Sequence, residues 1–167
     1  MRFLFVCLLA LAGSALAQPA LPEPPVYALL HYQDQSASSG KLEPIPREGV
    51  QVNTRKGQAR LKGEQAKVRF RHRALPPLVI AYAQGPAPAW YARMYRMEPR
   101  DGQRVTALGV WSYVTAKKSE PGAIPLKMER YGKLSYRLIP PPDLPPGEYA
   151  ITNPGGNAVY AFGVDPQ

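Results

Sequence analysis

Residues 66–73, AKVRFRHR, place Lys67, Arg69, Arg71 and Arg73 at every second position, with Val68, Phe70 and His72 between them. Successive side chains of a strand point to opposite faces, so this spacing predicts four cations in a row on one side of a sheet. Such a row offers charged donors to an anionic partner. Just upstream, Arg55, Lys56, Arg60 and Lys62 complete a set of eight cations within 19 residues that hold one acid, Glu64. The competing reading is a solvated face that keeps the strand soluble. On either reading, serine at positions 67, 69 and 71 should leave folding nearly unchanged. On the first, it should also weaken retention on heparin.

A second candidate surface is aromatic. Trp90, Tyr91 and Trp111 lie in apolar or alternating runs. Exposed rings there would stack on a sugar, because a flat face provides dispersion at small rotamer cost. Filling the space between two sheets is the plainer use of the same rings. This gives an alternative function, a carbohydrate- or other ligand-binding module.

Other chemistries find little support in the residue types. Cys7 is the only cysteine, and the two histidines, His31 and His72, have no His-Glu-x-x-His or paired-cysteine company. A transition-metal site would need carboxylates converging on them. Gly57 and Gly63 are separated by five residues rather than four, and Glu64 stands where a phosphate loop requires lysine. No Gly-x-Ser-x-Gly nucleophile elbow is present. Asp101, Glu120, Asp143 and Asp165 read as turn, loop or strand-end residues. The expectation is a protein that is not an enzyme, with no cofactor, no metal and no catalytic residue.

The elements that must position these groups begin after a leader. Arg2, the apolar run Phe3 to Ala12 and the Ala15-Leu16-Ala17 triplet before Gln18 fit a signal peptide cleaved after Ala17. The run is too short to span ~30 Å of hydrocarbon, and no later segment approaches that length, so no transmembrane segment is expected in the mature chain. Cys7 lies inside the leader, so the exported chain would be cysteine-free. Removing Arg2 leaves 20 of the 21 Lys+Arg against 12 Asp+Glu, a net charge of +8. An exported, periplasmic or secreted protein so charged is drawn to anionic surfaces. A protein or anionic cell-envelope partner is expected, and no specific nucleic acid.

A proline-rich leader over 18–25 precedes the folded domain, 26–167. Short apolar or alternating runs at 8 to 15 residue spacing, cut by turn residues, predict eight to ten strands. Twenty prolines argue against long helices. The spacing predicts an all-β, immunoglobulin-like antiparallel β-sandwich. Lys67 to Arg73, Leu78 to Ala83, Val105 to Thr115, Lys127 to Tyr131, Glu148 to Thr152 and Ala158 to Val164 are among the predicted strands. RKGQARLKGEQ, 55–65, reads as a basic connection, and Asp101-Gly102 as a turn.

The C-terminal stretch LPPGEYAITNPGGNAVYAFGVD, 144–165, resembles the closing hairpin of small uncharacterised exported bacterial β-sandwich proteins. In these a Pro-Gly-Glu-Tyr strand pairs with a last strand ending Phe-Gly-x-Asp. Gly147, Glu148, Tyr149, Phe162, Gly163 and Asp165 carry the resemblance. It implies the sandwich fold and no particular activity.

Overall fold

The computed structural model describes residues 30–33, 41–53, 57–81, 92–107, 122–132, 135–152 and 159–167. The leader, the proline-rich segment, Arg55, Lys56, Trp90, Tyr91 and Trp111 lie outside them. The described residues are all-β, with fourteen strands and no helix. In chain order they are β1 (Leu30–Gln33), β2 (Leu42–Pro44), β3 (Arg47–Glu48), β4 (Val50–Asn53), β5 (Gln58–Lys62), β6 (Val68–Arg71) and β7 (Leu78–Ala81). The second half holds β8 (Arg93–Arg100), β9 (Gln103–Ala107), β10 (Ala123–Ile124), β11 (Lys127–Arg130), β12 (Ser135–Ile139), β13 (Gly147–Thr152) and β14 (Val159–Asp165).

The count exceeds the expected eight to ten because two- and three-residue strands leave no periodic signature. β2, β3 and β10 are such pieces. β5 is a different case, since it falls in the stretch read as a basic connection. Its Gln-Ala-Arg-Leu-Lys alternation buries Ala59 and Leu61 and leaves Lys62 exposed. One inward alanine, too small to mark an apolar phase, hides the strand.

Five strands form one sheet in the order β11-β12-β7-β1-β2. The other follows β3-β14-β13-β8-β9-β5-β4, with β10 on β8 and β6 on β14. All pairings are antiparallel except β6 with β14. The larger sheet nearly closes on itself. Residues 47–53 are one chain segment, which pairs with β14 through Glu48↔Val159 and, past Gly49, with β5 through Val50↔Leu61.

Alternation then gives each central strand two apolar faces. Tyr149 and Ile151 of β13, with Tyr160, Phe162 and Val164 of β14, join Leu30, Leu78, Ile80 and Leu138 of the smaller sheet in one core. The other phase points into the near-barrel, where Ala150, Val159 and Ala161 meet Leu61, Ala66 and Met97. A strand buried on both faces reads as a continuous apolar run, which is why VYAFGV lacks polar alternation. Each fully buried large side chain, such as Phe162 or Leu138, contributes about 1.5–3 kcal/mol over its exposed state. Tyr95 also lies inside, 3% exposed, so both phases of 92–97 send side chains into the interior: Ala92 and Met94 on one, Tyr95 and Met97 on the other.

Candidate anion-binding face

β6 carries the alternation read from AKVRFRHR. Phe70 enters the shared core, edge-on to Tyr32 at 5.1 Å and 5.8 Å from Phe162, while Val68 packs beside it. The cations on the opposite phase do not behave alike. Lys67 and Arg71 are exposed, whereas Arg69 turns across β14 into a cluster of charges.

Arg69 Nε donates to both Asp165 oxygens at 2.9 and 3.0 Å, and its Nη1 donates to Glu148 Oε1 at 2.7 Å. Glu148, 4% exposed, accepts the Ala66 N–H on its other oxygen at 2.7 Å. Arg104, 1% exposed, faces that same oxygen at 3.9 Å. Its fork pairs with Glu48, and it donates to the carbonyls of Gly63 and Lys62, each at 3.0 Å. Two guanidiniums thus share three carboxylates at one end of the near-barrel. A planar fork of donors suits such a place, because a buried charge must be both paired and hydrogen-bonded.

Gly163 makes room for this arrangement. A Cβ on it would lie 2.5 Å from Arg69 Nη1 and 2.6 Å from its Cζ. The hydrogen bonds to Asp165 and Glu148 hold Arg69 protonated well above its ordinary range. The same bond from Arg69 holds Asp165 below the usual carboxylate range. Glu148, Gly163 and Asp165 stood out in the sequence only as parts of a hairpin pattern. Their partners Arg69 and Arg104 lie more than 40 positions away, and nothing local in the sequence joins them.

Arg73 leaves the strand phase for a different reason. β6 ends at Arg71, and Ala74 N–H donates to the Arg71 carbonyl at 3.0 Å, closing a turn in which Arg73 takes φ 64°. His72 lies in that turn and is half-buried, its N–H donating to the Asp165 carbonyl at 2.8 Å. His31 is buried on β1. The expected row of four is therefore a set of exposed ends, Lys67, Arg71 and Arg73, around an internally paired Arg69. Lys62 is exposed at the end of β5, and Arg60 is half-buried with Nη2 at 3.4 Å from Gln58 Oε1. Among the described residues, Lys62, Lys67, Arg71 and Arg73 enter no ion pair.

The turn carrying Arg73 also borders a groove of about 520 Å³, with Arg137 among its other lining residues. A polar cleft of about 440 Å³ adjoins the charge cluster, lined by Glu64, Arg96, Glu98 and Glu148 among others. In it Glu64 accepts the Gly102 N–H at 3.0 Å. At the opposite, apolar end of the near-barrel is a cavity of about 40 Å³ lined by residues that include Val52, Ala59, Tyr95 and Thr106. No cluster of three or more His, Cys, Asp or Glu able to hold a metal ion occurs among the described residues. No helix among them is long and apolar enough to cross a membrane. Comparison with protein-family models, curated proteins and solved structures finds no match to this chain.

Proposed function

We propose that this is an exported, non-catalytic interaction module whose basic face docks on an anionic protein or cell-envelope polymer. The observation that carries the reading is the division of labour among the cations. Arg69 and Arg104 are tied to carboxylates, while Lys62, Lys67, Arg71 and Arg73 stay exposed without an ion-pair partner among the described residues. Cations not engaged internally can exchange small counterions for a polyanion, and counterion release drives such docking.

Export rests on the charged start, apolar run and small-residue cleavage site of residues 1–17. The immunoglobulin-like reading of the fold draws support from Tyr149. Its hydroxyl donates to the Pro145 carbonyl at 2.6 Å, four residues upstream, in the manner of a tyrosine corner.

The test is retention on immobilised heparin across salt. The wild type should be retained at about 50 mM salt and released by about 200 mM, as counterion release requires. The Lys67→Ser/Arg71→Ser/Arg73→Ser variant should elute at distinctly lower salt. Unchanged elution of that variant would remove the face from the account.

A further inference from the structure

The groove beside Arg73 has a composition that selects its occupant. Pro76 and Pro77 contribute to it from the connection into β7, and Pro140, Pro141 and Pro142 from the segment after β12. Proline has a carbonyl but no N–H, so these residues offer no backbone donors, and the Pro77 carbonyl already accepts the Gln33 N–H at 3.0 Å. A peptide strand pairing with them would leave its own carbonyls unmet. Leu75, Leu138, Ile139, Leu144 and Val164 supply further apolar surface. An apolar body therefore fits where a peptide backbone does not.

Among the described residues, the charged groups lining the groove are Arg73 and Arg137, and no carboxylate lines it. Arg73 enters no ion pair among the described residues. Arg137 lies opposite Glu129 in the β11–β12 register and acts on it through its charge, while Glu129 Oε1 pairs with Lys127 Nζ at 2.7 Å. The Arg137 guanidinium lies over the Tyr131 ring, 5.8 Å from its centroid. Such stacking holds the plane of an arginine and leaves its edge donors for an oxyanion. The volume falls within the few-hundred to ~1,000 Å³ range of small-ligand sites.

We propose that the groove binds a small amphiphile, an apolar chain ending in a single carboxylate or phosphate, with Arg73 and Arg137 meeting the oxyanion. The site shares only Arg73 with the polyanion-docking face, so either can fail without the other. The experiment is an NMR titration of the full chain with hexanoate, hexyl phosphate and hexanol. Both anions should bind saturably, at least one of them about tenfold tighter than hexanol, as a charge-assisted contact implies. Tighter hexanoate assigns a fatty-acid-like carboxylate, and tighter hexyl phosphate a lipid-like phosphate. Arg137→Gln should weaken the preferred anion about tenfold and leave heparin elution unchanged, whereas Lys67→Ser/Arg71→Ser should do the reverse. Hexanol binding as tightly as both anions would overturn the proposal, as would no saturable binding of either anion. The wild-type comparison of the three probes decides the matter even if a variant fails to fold.

Discussion

At the scale of single residues, the cations with the same spacing in sequence have opposite uses. Arg69 bridges Asp165 and the buried Glu148, so Arg69→Ser leaves Glu148 in a water-poor site with only the Ala66 N–H and a distant Arg104. Breaking a largely buried pair from one side costs several kcal/mol, and partial exposure of Arg69 trims this to about 2–3 kcal/mol. Denaturant unfolding should show that loss for Arg69→Ser and less than about 0.5 kcal/mol for Lys67→Ser or Arg71→Ser. The expectation that serine at all three positions spares the fold is corrected at Arg69. Asp165 adds a pH signature. Its folded-state pKa lies below its ordinary value of 3.8, so its contribution is present above that value and is lost as pH falls through the folded one. Asp165→Asn should therefore be less stable than wild type at pH 7, with the gap closing below about pH 4 in pH-dependent unfolding curves.

At the scale of elements, β13 and β14 are the frame, because each gives one phase to the shared core and the other to the near-barrel. Tyr149 secures the entry to β13, with its ring stacked 5.7 Å from Phe162 and its hydroxyl bound to Pro145. Tyr149→Phe keeps the ring and removes one hydrogen bond, so thermal unfolding should report a loss of about 1 kcal/mol. These strands were legible because a long apolar run and a Pro-Gly-Glu-Tyr entry are local signals. The turn between β8 and β9 was legible as well at Asp101-Gly102, which both take positive φ at 53° and 74°, although residues 98–100 continue β8 rather than belonging to the turn. β5 was not, because its inward face is alanine and leucine between charges. The charge cluster was illegible for a deeper reason. Its members come from β3, β6, β9, β13 and β14, and only the closing of the sheet makes Arg104 a neighbour of Glu48.

At the scale of the whole molecule, an excess of positive charge attracts any polyanion weakly, whatever the placement of the cations. On the docking proposal, the cations around β6 act as one face, because Arg69 is neutralised internally while Lys67, Arg71 and Arg73 enter no ion pair among the described residues. Lys41, Arg100 and Lys127 make the control. Each is exposed and paired with a nearby acid, Glu43, Asp101 and Glu129 respectively, and exposed pairs of this kind add about 0–1 kcal/mol to stability. Serine at those three positions lowers the net charge by the same amount as serine at Lys67, Arg71 and Arg73. The decisive measurement is the salt concentration at which the two triple variants leave heparin, side by side with wild type. The account predicts early release for the Lys67/Arg71/Arg73 variant and near wild-type release for the Lys41/Arg100/Lys127 variant. Equal loss in both would show that net charge alone sets retention, and would contradict it.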